Sequence, residues 1–218
     1  MRGKVHPRSS ENRRGAETAP YILRTEHKGR SSSVTYIIGL GNPGLRYRNT
    51  RHNIGFLTAD AFTARFNNIL QKKRTRSASI TELILGEHLV VVVKPLLYMN
   101  RSGAAVANLK DRLLAPENRT LVVYDDSSLP FAALRFRRRG SSGGHLGFQS
   151  IIENLKTDHI HRLRIGICGN INEPLEEYVL SPFNADERAL LPEFLNRAAE
   201  AIETCILHGI DEAMNRFN

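Results

Sequence analysis

Three short apolar runs constrain the fold of this chain more than any other feature: VTYIIGL (Val34–Leu40), HLVVVVKP (His88–Pro95) and TLVVYDD (Thr120–Asp126). Each is too short for an ordinary helix and rich in β-branched residues, so each reads as a strand. The first is closed by glycine and reads as buried; the third ends in two acids. Between them lie helical patterns. From Asn53 the spacing of Ile54, Leu57, Ala61 and Phe62 marks one apolar helix face, and NRSGAAVANLKDRLL reads as a second helix. ALRFRRR alternates, with Leu134 and Phe136 on one side and Arg135, Arg137 and Arg139 on the other, as a strand with one wetted cationic face would. HRLRIGIC repeats this, Leu163 and Ile165 inward and Arg162 and Arg164 outward. Leu191, Phe194, Leu195, Ala198, Ile202, Cys205 and Ile206 form a last helical stripe. The expectation is a single α/β domain over residues 34–218, with a twisted mixed central β-sheet flanked by helices and no internal repeat.

Composition narrows the function classes. The chain has 218 residues, enough to bury a core without disulfides or metal. It has no run of about 18 apolar residues, so no membrane span is expected. Cys168 and Cys205 are its only cysteines. They exclude a cysteine-built zinc site and a disulfide framework, and fit a reducing compartment. The formal net charge is +9 and the isoelectric point about 9.9. Residues 1–33 carry eight Lys/Arg against three Glu, and read as a disordered basic extension. Their Arg and Ser content also suits an organellar transit peptide, against which stand the glutamates and the missing amphipathic face. The rest of the chain is still basic enough to suggest a polyanionic partner.

Four segments carry candidate chemistry. GLGNPG matches G-x-G-x-x-G at Gly39, Gly41 and Gly44, but Pro43 stiffens the loop and LRYRNTR follows where a glycine-packed helix should begin, so it is a poor dinucleotide fingerprint. Its useful group is the Asn42 amide at the end of a strand. His52, in TRHNIG, is either a packing residue at a loop-to-helix junction or a general base, oriented by Asp125 at the end of another strand, with Asp126 the competing acid. In KPLLYMNRSG, Asn100 either caps the next helix or, with Tyr98 and Met99 beside it, meets a nucleobase or peptide group. Arg135, Arg137, Arg139 and Arg164 are either solvated or a phosphate clamp, while QKKRTR (Gln71–Arg76) reads as a basic hairpin connection. A further stretch, GSSGGHLGFQS (Gly140–Ser150), is open between a phosphate cradle, a catalytic histidine and a turn with a helix cap.

Taken in order, GLGNPGLRYRNTRHNIG, KPLLYMNRSG, VVYDDSSLP, GGHLGFQSII and HRLRIGI resemble the bacterial-type peptidyl-tRNA hydrolase family over roughly 180 residues. The resemblance implies an enzyme that cleaves the ester between a peptide and the 3′ ribose of tRNA, with peptidyl-tRNA as partner. It implies no metal and no organic cofactor, and monomeric action. It implies that His52 activates water, Asp125 supports it, and Asn42 helps tell a blocked amino group from a free one. Tyr47, Tyr98, Met99 and Asn100 would line the peptidyl and 3′-adenosine site, and Arg135, Arg137 and Arg164 would hold the tRNA 5′ phosphate. On the same reading His145 is structural or peripheral, and the glycines before it form a loop bordering the substrate channel.

Two positions depart from the family pattern. Leu146 stands where the family has an asparagine that contacts substrate and helps position the water, and Ser128 replaces a usual acid. Leu146 and the basic tail motivate an alternative: a catalytically weak or inactive relative that binds RNA or the ribosome. The ribosome is a further expected contact on either reading, and the compartment is expected to be cytoplasmic or an organellar matrix, such as the mitochondrial one.

Overall fold

In the computed structural model, which describes residues 33–116, 119–169 and 173–218, the three apolar runs become neighbouring strands at the centre of a seven-stranded sheet. The strands are β1 (Val34–Gly39), β2 (Ile69–Arg74), β3 (Ala78–Leu85), β4 (His88–Pro95), β5 (Arg119–Pro130), β6 (Leu134–Arg137) and β7 (His161–Cys168), in spatial order β2-β3-β4-β1-β5-β7-β6. β1 is parallel to β4 and β5, and β5 to β7, whereas β2, β3 and β6 run antiparallel to their neighbours. The sheet is therefore mixed, as expected. The basic segment 1–33 lies, apart from Ser33, outside the described residues.

Among the described residues, seven α-helices cover the two faces: α1 (Ile54–Ala64), α2 (Ser102–Val106), α3 (Lys110–Leu113), α4 (Leu146–Leu155), α5 (Leu175–Leu180), α6 (Ala185–His208) and α7 (Ile210–Phe217). Because a strand turns successive side chains to opposite faces, β1 feeds two cores. Ile37 packs with Phe62 of α1 and Phe194 and Ile202 of α6, while Tyr36 and Ile38 pack with Val106 of α2 and Phe148 and Ile151 of α4. Burial on both faces is why these strands read as unbroken apolar runs rather than as alternating ones.

Three expectations change, and one strand was not anticipated. Gln71–Arg74 of the basic QKKRTR stretch is not a connection but part of the exposed edge strand β2, where charge discourages further pairing. β3, its partner, carries apolar residues in a pattern that the sequence reading passed over. The helix expected over Asn100–Leu114 is broken into α2, α3 and short 3-10 turns. Gly103 lets this segment press against α4: a Cβ there would lie 2.0 Å from the Ser150 carbonyl oxygen. Finally, Arg162, expected to face water beside Arg164, is 2% exposed.

Two irregularities shape the functional end of the sheet. β5 bulges against β7 between Asp126 and Pro130, just after its two acids. At the far edge, the Asn218 side chain stands in for a strand beyond β6. Its Oδ1 accepts the Phe136 N–H at 2.6 Å, and its Nδ2 donates to the Phe136 carbonyl at 3.3 Å.

Candidate active site

The site gathers at the carboxyl ends of β1, β4, β5 and β7, the usual ligand edge of an open α/β sheet. After β1 the chain turns through Gly41, whose missing Cβ makes room for the Phe56 ring at 2.6 Å. No helix begins at this loop to meet a pyrophosphate: Gly44, with φ 105°, leads into a 3-10 turn, and α1 starts only at Ile54. What the loop presents is Asn42, held on three sides. Its backbone N–H donates to Asn53 Oδ1 (2.8 Å), its carbonyl accepts from Asn53 Nδ2 (2.9 Å), and its own Oδ1 accepts the Met99 N–H (2.8 Å). This fixes the amide so that its NH2 is the end left to give. Asn53, 2% exposed, was not anticipated; an amide that mimics a strand partner leaves no sequence pattern.

His52 and Asp125 meet. His52 Nδ1 lies 2.9 Å from both carboxylate oxygens. An ionised carboxylate only accepts, so Nδ1 carries the proton and Nε2 keeps its lone pair. Asp126, the competing acid, points the other way along the strand. It pairs with Arg164 and accepts the Ser128 N–H (2.9 Å) and hydroxyl (2.7 Å).

His145 is not peripheral. Its Nε2 lies 3.0 Å from Asp125 Oδ1, and its Nδ1 accepts the Phe148 N–H at 3.1 Å, capping α4. Those two partners together fix it as the neutral imidazole protonated at Nε2. Its ring is wedged between His52 (centroids 5.0 Å apart) and Tyr124 (4.7 Å), which is itself stacked on Phe148. Burial alone would push the Asp125 pKa up, but two histidine donors outweigh it and hold the carboxyl well below its usual range. The helix cap was legible three residues before Phe148; the bond to Asp125, twenty residues back, was not.

His52, Asp125 and His145 also bring three ligand atoms within 4.8 Å of one another. They suit a metal poorly. A histidine ligating through Nε2 needs a proton on Nδ1 and an acceptor facing it, and here Nδ1 faces the Phe148 N–H.

A cavity of about 570 Å³ opens beside the histidines, lined by His52, Asp125, Leu146, Arg137, Arg139 and Arg164, with α5 supplying Leu175, Glu176 and Val179. The expected clamp is thus partly assembled. Arg164 and Arg137 reach the cavity, while Arg135, paired with Arg164 across the strands, does not line it. Asn42, Tyr47, Tyr98, Met99 and Asn100 do not line it either. Among them, Tyr47 and Tyr98 meet edge to face at 6.4 Å, and Asn42 holds the Met99 N–H. Buried Met99 connects the halves: a Cβ on Gly147 would lie 2.3 Å from its sulfur. Asn100 makes no cap, since the turn it belongs to has Tyr98 at its N-cap and no side-chain bond there; its side chain is exposed. Leu146, 62% exposed, opens α4 at the cavity rim.

Arg51 is a second residue that sequence reasoning missed. It is buried, donates to Glu187 (2.6 Å) and to the Pro182 carbonyl (2.9 Å), and lies over the Tyr178 ring at 4.2 Å. It fastens the turn carrying His52 to the junction of α5 and α6. Glu187 lies 136 residues away, beyond any local signal.

Comparison with known proteins identifies the family. The family model described as peptidyl-tRNA hydrolase matches residues 36–218. The chain is 46% identical over 184 residues to the peptidyl-tRNA hydrolase of Chloroflexus aggregans, covering 84% of this chain and 97% of that one. It is 47% identical over 188 residues to that of a Sulfurihydrogenibium species, covering 85% and 97%. Among solved structures, the peptidyl-tRNA hydrolase from Acinetobacter baumannii superposes with a TM-score of 0.74 at 30% identity, covering 84% of this chain and 93% of that one.

Proposed function

The chain belongs to the peptidyl-tRNA hydrolase family, and from that premise we propose how its own residues cleave the ester between a peptide and the 3′ end of tRNA. His52 Nε2 takes a proton from water as the water oxygen attacks the ester carbonyl. Asp125, bound to Nδ1, steadies the imidazolium that forms. The carbon–oxygen bond to the ribose then breaks, and the same proton passes to the 3′ oxygen, leaving free tRNA and a peptide carboxylic acid that gives its remaining proton to solvent. His145, a neutral donor, keeps Asp125 aimed at His52. The free NH2 of Asn42 donates to the peptide and reads a blocked amino end. The observation that carries this reading is the 2.9 Å contact between His52 Nδ1 and Asp125, which leaves Nε2 as the base.

Substrate runs through the site in one direction. The tRNA end lies along the cavity, its 5′ phosphate on Arg137 and Arg164, with Arg135 adding charge from behind; the peptide leaves past Tyr47, Tyr98, Met99 and Asn100. Residues 34–218 form the catalytic domain. It acts as a monomer, in the cytoplasm or an organellar matrix, on peptidyl-tRNA shed by the ribosome. Leu146 makes it a slowed enzyme rather than a silent one. If the family amide steadies the oxyanion, its loss costs about 10²–10³ in rate. If it only holds substrate, the loss is about 1–3 kcal/mol of binding. A non-catalytic relative has no need of the His52–Asp125–His145 array, yet that array is complete.

The test is release of tRNA from N-acetyl-aminoacyl-tRNA. Wild type should turn it over, His52→Ala should not, and Leu146→Asn should raise the rate. No release by wild type at high enzyme concentration would sink the mechanism.

A further inference from the structure

Arg162 is the largest of the fully buried side chains; beside the Tyr124 hydroxyl, its guanidinium donates to four backbone carbonyls. Nε donates to Ile160 (3.1 Å), Nη2 to Asp158 (2.7 Å), and Nη1 to both Gly140 (2.6 Å) and Ser141 (3.1 Å). Its face lies over the Phe148 ring at 4.2 Å. No carboxylate pairs with it among the described residues, so a full positive charge sits beneath the Gly140–Gly144 loop.

The loop answers that charge with its dipoles. All its peptide bonds are trans, and in a trans peptide the N–H points opposite to the C=O. Pinning the Gly140 and Ser141 carbonyls on Arg162 therefore turns the N–H groups of Ser141 and Ser142 away from it; Ser141, Ser142 and Arg162 all line the cavity. Neither N–H has a partner among the described residues. Beyond them Gly143 and Gly144 have positive φ, 61° and 85°, and a Cβ on either would meet nothing within 4 Å, so the approach is open. Arg137 and Arg139 line the same cavity. Two free donors, backed by a buried cation and flanked by two guanidinium groups, make a cradle for an anion rather than a plain loop.

We propose that the Ser141 and Ser142 amides, oriented by Arg162, bind a phosphodiester of the substrate: the one joining the last two nucleotides of the tRNA. This rests on the hydrolase reading above. The loop runs directly into His145, whose ring is 5.0 Å from that of His52, so an anion bound there lies within about one nucleotide of the ester. The site is distinct from the 5′ phosphate position on Arg137 and Arg164, because its donors are backbone N–H groups of the loop.

The test uses the intact, 15N-labelled wild-type protein and three probes: the dinucleotide CpA, CpA with a neutral methylphosphonate linkage, and that neutral compound carrying a 5′ phosphate. CpA should move the Ser141 and Ser142 amide protons downfield to saturation, and neither neutral-linkage compound should do so. Failure of CpA to move them, or an equal response to the 5′-phosphorylated neutral compound, overturns the proposal; the second outcome would make the 5′ phosphate the ligand. In turnover, the N-acetyl-aminoacyl ester of CpA should lose about tenfold or more in kcat/KM when its linkage is made neutral, as expected for charge-assisted hydrogen bonds. Equal turnover of both esters removes the cradle and leaves the hydrolase reading intact. Absence of turnover on N-acetyl-aminoacyl-tRNA removes the hydrolase reading, and the amide shifts then still report whether the loop binds the anion.

Discussion

Replacing His145 separates two jobs that one imidazole performs. Nδ1 caps α4 through the Phe148 N–H, and Nε2 donates to the buried Asp125 carboxylate. His145→Ala removes both. A hydrogen bond to a charged group contributes about 1.5–3 kcal/mol and an N-cap about 0.5–2 kcal/mol, so the loss in stability should be about 2–5 kcal/mol. His145→Asn restores the cap, because its short side chain can accept from Phe148, but it cannot reach Asp125. It should recover about 1 kcal/mol of that loss. The two variants should share one loss in kcat, about tenfold to a hundredfold, because in both His52 is paired with a carboxylate held on one side only. Urea unfolding and initial rates on N-acetyl-aminoacyl-tRNA measure the two effects.

The stability gap should also depend on pH in a definite sense. Asp125 is held below its usual range in the folded protein, whereas an unfolded aspartate titrates near pH 3.9. A depressed acid contributes stability above its unfolded pKa and loses it as pH falls toward the folded one. The gap between wild type and His145→Ala should therefore be full at pH 7 and shrink below about pH 4. Wild-type kcat in both variants would refute the positioning role, and equal stability of the Ala and Asn variants would refute the cap.

Two other perturbations follow from buried groups. Glu187→Gln keeps the capping box of α6, since glutamine can still accept the Asn184 N–H, but it leaves Arg51 buried without its counter-charge. Urea midpoints should fall by the equivalent of about 3–5 kcal/mol, and kcat should drop with KM little changed, because the turn carrying His52 loses its anchor. Burial pushes the Tyr124 pKa up to about 12. The unfolded chain ionises near pH 10 while the folded one keeps the proton, so wild-type stability should decline as pH rises from about 10 to 12, at up to about 1.4 kcal/mol per unit from this group. Tyr124→Phe should decline less over the same interval in urea titrations, and parallel curves for the two proteins would refute the assignment.

The parts of this molecule that were legible in its sequence are those whose pattern is local. Val90–Val93 could only be buried strand, and the alternation of Leu134 and Phe136 with arginines held up in β6. The same alternation misled at Arg162. Facing away from Leu163 meant facing a second core rather than water, because helices cover both sides of the sheet. At the site, Asn42 and Asp125 stood out as polar groups at strand ends and His52 as a histidine at a loop-to-helix junction. Arg51 with Glu187 and His145 with Asp125 did not, because each pair closes only after the chain has crossed the sheet. The fragmented helix after Asn100 failed to register for a related reason: a Gly103–Ser150 contact decides it, not propensity.

The Asn218 amide has a practical corollary for anyone handling this protein. By taking both backbone groups of Phe136, it occupies the only face on which β6 could recruit a foreign strand, one residue from Arg135 and Arg137. An affinity tag fused directly after Asn218 would pull at that residue, and with it at β6 and its arginines. The same fusion would uncover a strand edge and invite chain-to-chain pairing at high concentration.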